Sequence, residues 1–334
     1  MRKTCEQALF KTIKKCDPSP PRATTHTHVW MELARPAAPA TLIWSSTSAF
    51  LVDLDGVVWS GEDRVIAGAE KFFARCAGGS KKVVVVTNNS TRSREAVRSR
   101  LASLAGLNVA QQDIWTSGSA AAAILKDRGV AACFAVGLSG LTEELVAAGI
   151  RVVGISNQST NSAREDVDSI LESIELDPAV SAVVVGLDTT FSYAKLATAT
   201  AYLRTPQADG TPRLFLATNR DAGDVHAHLF APGGGCMVAA VALAAGREPD
   251  VVAGKPSAAL IDAVLRNSCA GEDPRNVTMV GDRIDTDMAL ARNGGVRAVL
   301  VGTGVASASD AAKAVAQGHV DAFLPNGLAD LVSA

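Results

Sequence analysis

Residues 49–58 read Ala-Phe-Leu-Val-Asp-Leu-Asp-Gly-Val-Val, an apolar run closed by two carboxylates, Asp53 and Asp55. A short apolar run ending in acids and a glycine suits a strand buried on both faces, as in a parallel sheet. Side chains at i and i+2 of a strand point to one side, so the two acids are expected to converge beyond the carboxyl edge, where open α/β folds bind ligands. Two unit charges about 4 Å apart repel by roughly 4 kcal/mol at an effective dielectric of 20. Such a pair calls for a cation or for protonation of one member. Taken alone, the motif also fits two solvated aspartates in a turn.

Working outward, short β-branched runs alternate with longer Ala/Leu-rich amphipathic stretches, the pattern of parallel strands joined by crossover helices. Strands are predicted at 49–53, 82–87, 133–136, 151–154, 182–186, 213–217, 251–253, 277–280 and 297–301. Helices are predicted at 94–104, 120–126, 193–203, 237–245, 258–266 and 285–292, with Gly294 and Gly295 closing the last. Nine strands are many for one compact sheet, and 334 residues suit two domains of moderate size.

Three more strand ends carry polar groups. Lys82–Thr87 runs into Asn88, Asn89 and Ser90, hydroxyl and amide groups ahead of a helix whose first N–H groups are free for an anion. Helix capping alone also explains Ser or Asn there. Val251–Ala253 leads to Gly254-Lys255-Pro256, which is not a P-loop: Pro249 stands where the first glycine belongs, and Pro256 replaces Ser or Thr. Val277–Val280 leads to Gly281-Asp282-Arg283-Ile284-Asp285-Thr286-Asp287. There Asp282 is placed to ligate a hard cation, with Asp287 as an outer partner. Oxygen ligands without matching His or Cys point to Mg²⁺ rather than Zn²⁺.

Composition narrows the classes. Hydrophobic residues make up 48% and charged residues 20%, ordinary for a folded soluble chain. The net charge of -2 offers no global cationic field for nucleic acid or anionic membrane, and no apolar run reaches the length of a membrane span. Six cysteines without metal spacing read as free thiols in a reducing compartment, so the sequons at Asn89 and Asn276 stay unused. Residues 1–44 carry five prolines and seven basic against three acidic residues, and read as an extension outside the fold. A cytoplasmic location is expected, with a mitochondrial transit peptide as the alternative use of that extension.

The order DxDGxV, TNNS, GKP and GDRxDTD resembles the four motifs of the haloacid dehalogenase superfamily of Mg²⁺-dependent phosphatases. VDLDGVVWSG, VTNNSTRSR, VVVGLDTTFSYAKL, FLATNRD and GDRIDTDM are similar to its 4-nitrophenylphosphatase, phosphoglycolate phosphatase and pyridoxal phosphatase branch, from about residue 45 to the C-terminus. The resemblance implies an α/β fold: a Rossmann-like parallel-sheet core over residues 45–116 and 236–334, interrupted by a C2-type α/β cap at 117–235. It implies Asp53 as the phosphorylated nucleophile and Asp55 as acid and then base. It also implies Thr87, Asn88, Asn89 and Lys255 around the phosphoryl group, with Mg²⁺ held by Asp53, the Asp55 backbone carbonyl and Asp282, and Asp287 orienting that shell. The expected substrate is a small phosphomonoester such as 4-nitrophenyl phosphate or 2-phosphoglycolate, with no nucleic-acid or membrane partner and a homodimer formed through the cap. The alternatives are a pyridoxal 5'-phosphate phosphatase, a phosphotransferase of the same fold or a non-catalytic phospho-ligand binding protein. Leu187, Asn219 and His226, with His228 beside it, are the candidate specificity residues. Leu187 stands where the pyridoxal phosphatase pattern resembles a Tyr, which argues against a dedicated pyridoxal 5'-phosphate enzyme.

Overall fold

A computed structural model describes residues 37–61, 64–154, 166–226 and 229–334, with only the backbone of 224–226. In chain order the strands are β1 (Ala49–Val52), β2 (Trp59–Ser60), β3 (Arg64–Val65), β4 (Lys82–Thr87), β5 (Ile114–Thr116), β6 (Ala132–Val136), β7 (Arg151–Val153), β8 (Ala182–Val185), β9 (Leu214–Ala217), β10 (Gly223–His226), β11 (Leu229–Pro232), β12 (Val251–Val252), β13 (Val277–Gly281), β14 (Arg297–Val301) and β15 (Ala322–Leu324).

The nine expected strands divide between two parallel sheets. The first has the order β15-β14-β13-β1-β4-β5 and the second β12-β9-β8-β6-β7. In the first, β1 is central, with Val52 level with Val280 on one side and Val85 on the other. That register brings the ends of β1, β4 and β13 to one height, so the polar residues following them meet at a single edge. There the chain order reverses across β1, the position at which open α/β sheets form their crevice.

Each sheet is buried on both faces, which is why its strands read as continuous apolar runs. One face of the first sheet packs Phe50, Phe72, Leu101 and Leu331 together. On the other face, Leu51, Val84, Leu260 and Leu300 form a core that continues unbroken onto Leu141, Cys133 and Leu216 of the second sheet's near side. The far side of the second sheet buries Phe134, Tyr202, Phe215 and Val241. Four described cysteines are free thiols; Cys76, Cys133 and Cys269 are buried, and burial pushes the thiols of Cys76 and Cys133 up to about 12. Among the described residues no helix is long and apolar enough to cross a membrane.

Two helices lie across the expected boundaries. Residues 1–44 do not all lie outside the fold, because helix Ala40–Ser46 belongs to the first sheet's core. Ile43 is fully buried, Trp44 stacks on Phe50 with centroids 5.8 Å apart, and Ala38 N–H donates to Asp321 O at 2.8 Å. A seven-residue helix is too short to show a period, so its apolar face was not legible. At the other boundary, helix Gly234–Ala245 packs on the second sheet and β12 pairs with β9, so that layer runs to Val252 rather than stopping at residue 235. The expected helix at 285–292 is a π-helical turn, Ile284–Met288, followed by the α-helix Ala289–Gly294.

Candidate active site

At the meeting of strand ends, Lys255 Nζ lies 2.7 Å from Asp53 Oδ1 and 2.6 Å from Asp287 Oδ1. It also donates to Val86 O at 3.1 Å. All three charged side chains are buried. One carboxylate oxygen each of Asp53, Asp282 and Asp287 falls within 4.8 Å of the others. Asp287 Oδ2 accepts from Arg283 N–H at 3.1 Å, while Oδ1 pairs with the Lys255 ammonium. Asp282 Oδ2 accepts from Val305 N–H at 2.8 Å.

Close packing around these acids requires glycine at 56, 281 and 304; a Cβ on Gly304 would lie 1.9 Å from Asp282 Oδ2. Gly56 turns with φ +80°, and a Cβ there would sit 2.5 Å from Asp282 Oδ2; at Gly281 a Cβ would meet Asp287 Cγ at 2.2 Å. Loop residues that the motif reading did not select complete the wall. Thr303 Oγ1 donates to Gly56 O at 2.6 Å, next to the Val305 amide already described. The available signal was the glycine pair Gly302 and Gly304 directly after β14.

The electrostatics follow from three carboxylates facing one ammonium in a buried site. Burial pushes the Asp53 carboxyl well above its usual range; Lys255 opposes the rise, and Asp287 and Asp282 add to it. Asp282 is pushed up to about 6, first by burial and then by Asp287. For Lys255 burial opposes the charge, yet Asp287 and Asp53 outweigh it and hold the ammonium above its ordinary range. The all-oxygen donor set and its excess of negative charge fit a hard divalent cation.

Asp55 departs from the expected geometry. The strand ends at Val52, and Val58 N–H returns to Leu54 O at 2.8 Å, so the chain turns and the i, i+2 rule no longer applies. Asp55 is exposed and its carboxylate stands outside the acidic cluster; Oδ1 accepts from Trp59 Nε1 at 2.8 Å. Asp53 therefore has Asp282 and Asp287, rather than Asp55, as its close like charges. A metal role for Asp55 would fall to its backbone carbonyl.

The TNNS segment divides by role. Thr87 is buried at the end of β4, its Oγ1 accepting from Asn89 N–H at 3.1 Å. Asn89 Oδ1 takes the Thr91 N–H and hydroxyl, each at 2.8 Å, and so shapes the turn ahead of helix Arg94–Ala105. The Asn88 side-chain amide is engaged within the protein. Its Oδ1 accepts from Lys255 N–H at 2.7 Å, and Nδ2 donates to Asp221 Oδ2 at 3.0 Å and to Lys255 O at 3.2 Å.

Among the candidate specificity residues, Asn219 is buried and its Nδ2 donates to Asn88 O at 2.8 Å, a structural duty. Leu187 is half-buried beside Gly234, one residue before the buried Asp188–Lys195 ion pair at 2.7 Å. The His226 side chain and all of His228 lie outside the described residues.

Known proteins resemble this chain along most of its length. A haloacid dehalogenase-like hydrolase model matches residues 50–151, and a HAD-hydrolase-like model matches residues 252–331. The chain is 38% identical over 275 residues to phosphoglycolate phosphatase 2 of Arabidopsis thaliana, across 80% of this chain and 87% of that protein. The structure of a p-nitrophenyl phosphatase from Archaeoglobus fulgidus is 30% identical with a TM-score of 0.69, covering 86% of this chain and 98% of that one. A glycerol phosphate phosphatase from Mycobacterium tuberculosis, in complex with magnesium, is 31% identical with a TM-score of 0.68, covering 86% and 78%. This chain belongs to the haloacid dehalogenase-like hydrolases. It is a phosphatase, a phosphoric monoester hydrolase.

Proposed function

We propose that the substrate is a small phosphomonoester of the 2-phosphoglycolate type, cleaved in two displacements at Asp53. In the first, an Asp53 carboxylate oxygen forms a bond to phosphorus while the bond from phosphorus to the ester oxygen breaks. The protonated Asp55 carboxyl donates its proton to the leaving oxygen. In the second, Asp55, now a carboxylate, takes a proton from water as that water attacks phosphorus, and the aspartyl-phosphate bond breaks to return Asp53. A carboxylate nucleophile replaces one slow displacement by two easier ones, and a separate acid and base serves both.

Burial of Asp53 favours its protonated, non-nucleophilic form, so the adjacent Lys255 matters twice: it opposes that protonation and offsets charge on the phosphoryl group. The Thr87 hydroxyl, buried at the end of β4, supplies a donor at the same edge. Asp53, Asp282 and the Asp55 carbonyl would hold Mg²⁺, which supplies charge neutralisation for the transferring group. The observation that carries this reading is the buried Asp53–Lys255–Asp287 cluster with Asp282 beside it. The substrate class draws on the similarity to phosphoglycolate phosphatase 2. Phosphate release measured with Mg²⁺ over 2-phosphoglycolate, glycerol phosphate, pyridoxal 5'-phosphate, 4-nitrophenyl phosphate and a phosphopeptide tests it. The expected order places 2-phosphoglycolate above pyridoxal 5'-phosphate and the phosphopeptide lowest; preference for either of those two overturns the substrate class.

A further inference from the structure

The chain passes between the two sheets twice, at Thr116–Ser117 after β5 and at Ala253–Lys255 after β12, and Asn88 touches both passages. Ser117 Oγ donates to its carbonyl at 2.6 Å on the way out. On the way back, Lys255 N–H donates to its Oδ1 at 2.7 Å. The loop after β9 joins the same point through Asn219 Nδ2 on Asn88 O and Asn88 Nδ2 on Asp221 Oδ2. Gly254 N–H donates to Thr218 O at 2.7 Å, and a Cβ on Gly254 would lie 2.5 Å from Asn88 Oδ1, so the junction has no slack.

We propose that the Asn88 side chain has a positioning role and is not itself a phosphate ligand: it fixes the backbone of Lys255 and couples that lysine to the Thr218–Asp221 loop of the second sheet. The physical reason lies in how Lys255 arrives. Among the described residues β12 pairs with β9 of the second sheet and with no strand of the first, so no ladder of the first sheet holds the Lys255 backbone beside Asp53. The Asn88 amide takes that place, accepting from the Lys255 N–H and donating to the Lys255 carbonyl. The proposal rests on the phosphatase reading for its kinetic arm only.

The test compares Asn88→Asp, Asp221→Asn and the double variant. Asn88→Asp keeps the acceptor for Lys255 N–H, removes the amide donors and sets two carboxylates against each other. With Mg²⁺ and 4-nitrophenyl phosphate, kcat is expected to fall about 10- to 100-fold while KM stays within roughly threefold. Adding Asp221→Asn restores a donor–acceptor pair of reversed polarity and should recover about tenfold of that loss. Amide hydrogen exchange of the 253–257 segment in the resting enzyme should speed up in Asn88→Asp and slow again in the double variant. A rise in KM that matches the fall in activity, with additive losses in the double variant, would identify a direct phosphate contact and overturn the proposal. Unchanged exchange at 253–257 would overturn it as well. A wild-type enzyme that releases no phosphate from any ester would defeat the proposed chemistry, and the exchange experiment would still decide the role of Asn88.

Discussion

Replacing Lys255 with Met keeps the length of the side chain and removes the ammonium that faces three buried carboxylates. Lys255 Nζ stands 2.7 Å from Asp53 and 2.6 Å from Asp287. At an effective dielectric of 20 each contact corresponds to about 6 kcal/mol of attraction, most of it offset by desolvating the charges. Breaking a buried pair from one side typically costs about 3–5 kcal/mol. Lys255→Met should therefore lose that much at pH 8 in chelator, with a Tm lower by roughly 5–10 °C. The sign of the pH dependence follows from the carboxyls. Asp282 is already pushed up to about 6, and removing the ammonium raises it and Asp53 further. A carboxyl whose folded value exceeds the ordinary 3.8 binds more protons folded than unfolded, so stability rises as pH falls from 8 through 6 toward 4. The gap between variant and wild type should narrow over that window, and Mg²⁺ at about 100 times its Kd should add roughly 2.7 kcal/mol to a folded state that binds it. Denaturant unfolding at pH 5, 6, 7 and 8, with chelator or Mg²⁺, measures all of this. A deficit that is constant across pH and indifferent to Mg²⁺ would mean lost packing instead of lost charge, and would refute the reasoning.

Asp53→Asn should lower turnover by about 10³-fold or more, because an amide is a poor nucleophile and ligand, while leaving Tm equal to or above wild type in chelator; normal turnover in a preparation free of contaminating phosphatase would contradict the assigned role. Asp55→Asn should be nearly inactive and accumulate phosphoenzyme visible by intact mass, since it still permits attack but cannot activate water. Trp59→Phe removes the indole N–H that holds Asp55, and should slow alkyl phosphates by roughly tenfold with a smaller effect on 4-nitrophenyl phosphate, whose leaving group needs little protonation; equal losses on both would separate Trp59 from acid catalysis. Ca²⁺ should inhibit in competition with Mg²⁺, because it accepts bidentate carboxylate and would occupy both oxygens of Asp53. Ile43→Ala should cost about 2–5 kcal/mol in chemical denaturation, and a neutral result would place helix Ala40–Ser46 outside the cooperative core.

Strands β4 and β14 match their sequence expectation residue for residue, because a strand buried on both faces must be apolar throughout, and that property is written locally. Asp53, Thr87, Lys255 and Asp282 were legible for a related reason: each follows an apolar run within three residues, and parallel strands deliver such residues to one edge. The short elements were not legible. β5, β15 and helix Ala40–Ser46 are too brief for a period to appear, and their burial depends on surfaces far away in the chain. Nor does an apolar run say which sheet it joins: Val251–Val252 pairs with β9, and only that choice makes the Lys255 backbone depend on Asn88. Asp55 faces Trp59 because the chain turns after Val52, and Asn88 became a junction because Asp221 and Lys255, 133 and 167 residues further on, arrive at its amide. Residue types and local burial determined the chemistry available to this protein. Pairing across long sequence separations decided which atoms meet, since a hydrogen bond or ion pair depends on distance in space and leaves no periodic mark in the chain.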